Sequence, residues 1–116
     1  NRVRAPFNVN GFGLAAAQAV LGDEAYLEAG RETNRQGMQQ LVSGLSQQGL
    51  SYIPSSGNFL AVEMPRDSLQ VYQQLLREGV IVRPIAVYDM PDYLRVSIGL
   101  AEENQAFLTA LEKVLK

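Results

Sequence analysis

Apolar positions along this chain recur at two spacings, and the switches between them divide it into short elements. Residues 1–10 contain Pro6 and show no period, so they read as an extended or irregular lead-in. Phe12 to Leu21 is apolar nearly all round, with only Gln18 polar, and its Ala and Leu favour helix. A helix of that kind has to be covered on several sides. It is either a central core helix or one whose covering partner lies on chain not present here. Asp23 then caps a second helix running to about Gln48 and stopped by Gly49. Its stripe is Leu27, Met38, Leu41, Val42 and Leu45. Gly30, Gly37 and Gly44 recur close to one face, which either close approach of another helix or chance accounts for.

The second half alternates faster. Leu50–Pro54 predicts a short strand and Ser55-Ser56-Gly57 a turn. Asn58–Met64 predicts a strand with Leu60, Val62 and Met64 on one face and Phe59, Ala61 and Glu63 on the other. A helix capped by Asp67 or Ser68 presents Leu69, Tyr72, Leu75 and Leu76 and ends at Gly79. Val80–Arg83 predicts a strand stopped by Pro84, and 88–92 a loop. Tyr93–Ile98 predicts a strand with Leu94, Val96 and Ile98 inward. A last helix from about Glu102 to Leu115 presents Phe107, Ala110, Leu111, Val114 and Leu115. This order implies an α+β fold. It predicts a two-layer small domain, with helices packed on one side of a mainly antiparallel sheet.

Composition narrows the chemistry. The 116 residues suit one small domain, and 47% hydrophobic content can build a core. Net charge is -2 with no basic block, which argues against a nucleic-acid partner. No apolar run approaches the roughly 20 residues that span a bilayer, so no membrane partner is expected. The chain has no Cys and no His. It therefore offers no thiol nucleophile, no imidazole base and no metal site of the usual zinc type. Lack of Cys is compatible with a cytoplasmic location. The basic residues are Arg except for Lys113 and Lys116 at the C-terminal end. Arg keeps its proton, so it binds anions rather than acting as a base.

Two of these arginines lie in predicted strands. With Leu94, Val96 and Ile98 inward, Arg95 faces the other way beside Tyr93 and Ser97. Arg83 closes a strand before a Pro-led loop. Either guanidinium can grip a carboxylate or phosphate with two parallel hydrogen bonds. From spacing alone, a salt bridge or plain solvation is the commoner explanation.

Arg4-Ala5-Pro6-Phe7-Asn8-Val9-Asn10 resembles the R-x-P-F-N-V-N segment of histidinol-phosphate aminotransferases, a branch of the fold-type I pyridoxal-phosphate enzymes. Similar stretches follow in the family's order: Tyr52–Ser55 with Asn58-Phe59, Gly79–Pro84, Leu94–Gly99, and Glu102–Asn104 with Phe107-Leu108. The resemblance covers nearly the whole chain. It implies the C-terminal small domain of such an enzyme, with 1–22 an inter-domain lead-in and apolar helix, and 23–116 the small domain. It implies that Arg95 binds the substrate α-carboxylate and that Arg83 helps hold the phosphate of histidinol phosphate. The implied reaction moves an amino group between L-histidinol phosphate and 2-oxoglutarate. Other fold-type I enzymes, an aromatic aminotransferase or a phospho-amino-acid decarboxylase, share much of the pattern. A stand-alone small-metabolite-binding regulatory module is the reading from another class.

The implied cofactor is pyridoxal phosphate, used by the full-length enzyme. Its Schiff-base lysine, the acidic partner of its ring nitrogen and its phosphate cup belong, in the family, to an upstream large domain of the same chain. Lys113 and Lys116 match no such position, so this chain is expected to hold no cofactor covalently and to be inactive alone. A homodimer and a small-molecule substrate are the implied partners. Two departures stand out. Leu100-Ala101 replaces the Thr that often caps the last helix in the family, and Asp89 stands where Gly is common.

Overall fold

A computed structural model describes residues 8–116, and the chain divides into two compact units, Asn1–Glu32 and Thr33–Lys116. Arg4–Phe7 and most of the lead-in lie outside the described residues. The first unit holds α1 (Gly11–Leu21) and the start of α2 (Glu24–Gln47). Asn10 caps α1 by accepting from Gly13 N–H at 2.8 Å, and Asp23 caps α2 by accepting from Tyr26 N–H at 2.9 Å. The apolar composition of α1 does not make it a core helix. None of its residues is buried, and Phe12 is 90% exposed.

The second unit is built on a four-stranded sheet. Its strands are β1 (Tyr52–Ile53), β2 (Phe59–Glu63), β3 (Arg83–Pro84) and β4 (Tyr93–Ser97), in the spatial order β1-β2-β4-β3. All three pairings are antiparallel. Leu60, Val62, Leu94 and Val96 point to one face and are buried. That face is covered by the C-terminal part of α2 through Leu41 and Leu45, by α3 (Ser68–Arg77) and by α4 (Ala101–Leu115). The α+β two-layer arrangement is therefore the one the alternation predicts.

Three elements differ from expectation. The strand predicted over 80–83 pairs only at Arg83–Pro84. Pro84 is the last paired residue of the strand rather than the stop after it, because β3 is an edge strand where a missing N–H costs no ladder bond. β1 is shorter than 50–54. On α3 the buried face is Ser68, Val71 and Leu75, while Leu69 and Leu76 are exposed. The helix is turned so that the i, i+3, i+7 series from Ser68 meets the core, where Leu75 and, in part, Tyr72 of the predicted stripe also pack, while Leu69 and Leu76 lie at the flank.

Two of the three spaced glycines of α2 answer to packing. A Cβ on Gly37 would lie 2.5 Å from Ile98 Cγ2, and one on Gly44 would collide with the Leu108 side chain. Around Gly30 nothing lies within 4 Å. The family's missing Thr cap is replaced by two neighbours. Glu103 accepts from Leu100 N–H at 2.8 Å. Asn104, only 2% exposed, accepts from Gly99 N–H at 3.0 Å and donates to Gly99 C=O and Gln40 Oε1. Its amide ties the end of β4 to both α4 and α2.

Gly37→Ala is expected to destabilise the chain by about 1–3 kcal/mol through overpacking, whereas Gly30→Ala is expected to stabilise it by roughly 0.5–1 kcal/mol. Urea unfolding of the two variants beside the parent checks the contrast, which reverses if α2 does not press on the end of β4.

Candidate functional site: a pair of arginines on the open face of the sheet

Alternation on β4 buries Leu94 and Val96 and leaves Tyr93, Arg95 and Ser97 on the opposite face, as the sequence pattern requires. The helices cover only the core face, so this face is open. Antiparallel register then sets the neighbours. Arg83 of β3 stands directly opposite Arg95, and Ala61 of β2 stands opposite Arg95 on the other side. Ile53 of β1 stands opposite Ala61. One row across the sheet therefore reads Ile53, Ala61, Arg95, Arg83.

Like charges directly opposite on neighbouring strands are destabilising, by up to about 1 kcal/mol. Among the described residues no carboxylate lies within ion-pair distance of Arg83 or Arg95. Arg95 Nε is buried without an acceptor, and its guanidinium carbon lies over the Phe59 ring, 5.3 Å from the centroid. Arg83 is exposed. Two arginines on adjacent strands without an acid are suited to gripping an anion. The salt-bridge explanation left open by the sequence is not met.

Arg83 is exposed and Arg95 half-buried on this face. The groove between α2 and α4 lined by Gln40, Gln48 and Thr109 contains neither arginine. Between the two strands the chain passes through a short 3-10 turn at Ala86–Tyr88 and through Asp89, whose φ is 59°. That is the left-handed conformation glycine adopts freely and Asp tolerates. The substitution from the family's common Gly therefore retains a glycine-type backbone turn.

Both lysines are paired with carboxylates. Lys113 Nζ lies 2.6 Å from Glu78 Oε2, and Lys116 Nζ 2.7 Å from Glu112 Oε1. Both belong to the end of α4, which packs on the opposite side of the sheet from the arginines.

The model of the family "Aminotransferase class I and II" matches residues 1–111. The chain belongs to this family. Among curated relatives it is 63% identical over 115 residues to histidinol-phosphate aminotransferase 2 of Pseudomonas aeruginosa, covering 99% of this chain and 31% of that one. It is 59% identical over 116 residues to histidinol-phosphate aminotransferase of Methylobacillus flagellatus, covering 100% and 31%. Among solved structures, histidinol-phosphate aminotransferase from Sinorhizobium meliloti in complex with pyridoxal-5'-phosphate superposes with a TM-score of 0.84 at 26% identity, covering 98% of this chain and 32% of that one. The chain thus spans about a third of the length of the aminotransferases it matches.

The sequence pattern singled out both arginines of this aminotransferase chain, but not that register makes them neighbours. It also passed over Phe59. The available signal was a large aromatic on the outward face of a strand whose inward face was already apolar.

Because the two arginines repel, Arg83→Gln is expected to leave the chain as stable as the parent, or up to about 1 kcal/mol more stable. Inorganic phosphate is expected to raise the thermal midpoint of the parent more than chloride at equal ionic strength, and this difference is expected to vanish in Arg83→Gln. Calorimetry in the two salts reads both.

Proposed function

We propose that this chain is the anion-gripping part of a full-length aminotransferase that moves an amino group between L-histidinol phosphate and 2-oxoglutarate. The observation that carries this reading is the pairing of Arg83 with Arg95, without an acid, on the uncovered face of the sheet. High identity to two histidinol-phosphate aminotransferases supports the choice of substrate. Residues 23–116 are the small domain and residues 1–22 the lead-in from a larger upstream domain. That larger domain supplies the lysine and the pyridoxal-phosphate site. The exposed apolar surface of α1 fits a segment that other chain covers, either that upstream domain or a second copy in a homodimer. A biosynthetic role of this kind places the enzyme in the cytoplasm.

The two substrates make different demands on the pair. L-Histidinol phosphate carries one anionic group, a phosphate monoester, and no carboxylate. 2-Oxoglutarate carries carboxylates only. Arg95 grips the α-carboxylate of the dicarboxylate, and Arg83 adds the second guanidinium that a phosphate dianion uses. Their side-by-side register suits one anion held at one locus better than anchors at two ends of a single molecule. Gripping the anion also orients the carbon where the amino group is exchanged, which is bonded directly to the α-carboxylate in one substrate and lies one CH2–O link from the phosphate in the other.

In the full-length enzyme, Arg95→Lys is expected to lower kcat/KM about 10- to 100-fold for both substrates, from loss of a bidentate charged contact. Arg83→Ala is expected to weaken L-histidinol phosphate at least about 10-fold while changing 2-oxoglutarate little. Steady-state kinetics with each substrate varied decides it, and equal losses for phosphorylated and unphosphorylated amino donors would overturn the histidinol-phosphate reading in favour of another aminotransferase. The 116-residue chain alone is expected to show no turnover and no lysine labelled by borohydride reduction with pyridoxal phosphate.

A further inference from the structure

Phe59 has no part in the reading above. It opens β2 on the same face as Arg95 and is 40% exposed. Register makes it the diagonal neighbour of Arg95, since Phe59 stands opposite Ser97 and Ala61 opposite Arg95. At that offset an aromatic ring can reach across to the next strand. It does so here, with the guanidinium carbon 5.3 Å from the ring centroid. Arg95 Nε is buried and has no acceptor, which closes the side edge of the guanidinium. The two terminal nitrogens are left for an incoming anion.

The ring is itself held in place. Asn58 C=O accepts from Ile98 N–H at 2.8 Å, fixing the start of β2 to the end of β4. Gly57 N–H donates to Ser55 Oγ at 3.0 Å, and Asn34 Nδ2 donates to Gly57 C=O at 3.3 Å. A Cβ on Gly57 would lie 3.6 Å from the edge of the ring, so the turn backs directly onto it. A partly exposed aromatic so braced is poorly explained by core packing, because it covers no core residue. Its neighbour is a cation, and a cation over a ring face is attracted by the ring's quadrupole.

We propose that Phe59 is a positioning residue. Its ring underlies the Arg95 guanidinium and holds it with both terminal nitrogens presented end-on to the substrate anion. The inference rests on the reading of Arg95 as the anion anchor. It adds a specificity element to that reading, because the preset plane favours a flat carboxylate or one face of a phosphate over a neutral group.

The test uses the full-length enzyme and four variants: Phe59→Leu, Phe59→Tyr, Arg95→Lys and the double Phe59→Leu/Arg95→Lys. A cation over an aromatic ring is worth from about 2-fold to about 30-fold in affinity as it becomes desolvated. Phe59→Leu, which keeps bulk but removes the ring, is expected to raise KM for L-histidinol phosphate about 5- to 20-fold with kcat within about 2-fold. Phe59→Tyr is expected to stay within about 2-fold of the parent. L-Histidinol, which lacks the phosphate, is expected to respond to neither. In the Arg95→Lys background, Phe59→Leu is expected to add little. If Phe59→Leu impairs folding by thermal melt, Phe59→Ile takes its place. An unchanged KM in the aliphatic variant overturns the proposal, as do equal losses in the Leu and Tyr variants or an equal effect on L-histidinol. If Arg95→Lys itself leaves both substrates unaffected, the parent reading of Arg95 fails, and the result is separable from any failure of Phe59.

Discussion

The alternation of a single strand organises the second unit. β4 pairs on both sides, with β2 and with β3, so its two faces have to serve two purposes at once. Leu94 and Val96 enter the core beside Leu41, Leu45 and Leu111. Arg95, between them, is sent outward by the same geometry. A shift of one residue in register would bury the guanidinium and expose two aliphatic side chains, so the hydrophobic core fixes the direction of the charge. The staple at Asn104 and Glu103 holds the end of the strand where Gly99 turns into α4.

Much of this was legible in the chain. The alternation at Leu94–Ile98 and Leu60–Met64, and the caps at Asp23 and Asp67, are local signals, and the elements lie where those signals place them. The family likeness was legible in short motifs. What stayed hidden depends on partners distant in sequence. No local pattern sets the register of Arg83 against Arg95, because it is fixed by which strands pair and where. The rotation of α3 is of the same kind. Ser68 and Val71 are less apolar than Leu69 and Leu76, yet Ser68 finds a carbonyl acceptor at Pro91, and Val71 packs fully. Strand ends were misplaced at β3 because Pro84 reads as a stop, and only its edge position makes it admissible.

The arginine face is a place where local rules are broken together. Like charges face each other, a donor nitrogen is buried without an acceptor, and a large aromatic is turned outward. Each departure costs stability on its own, and within the sheet the contact of Arg95 with the Phe59 ring offsets only part of it. It is on this surface that the proposed anion site lies. The rest of the second unit keeps ordinary packing, with large side chains such as Leu41, Leu60 and Leu94 wholly removed from water.

The two outer strands limit how anything can approach this sheet. β1 and β3 are each two residues long, and β3 ends in a proline that has no amide hydrogen to donate. A passing extended chain finds almost no ladder to join at either margin. The sheet is therefore barred from growing sideways, into a larger sheet or into a strand-swapped aggregate. Its broad outward face, which carries Arg83 and Arg95, is the side of the sheet that the helices of this unit leave uncovered.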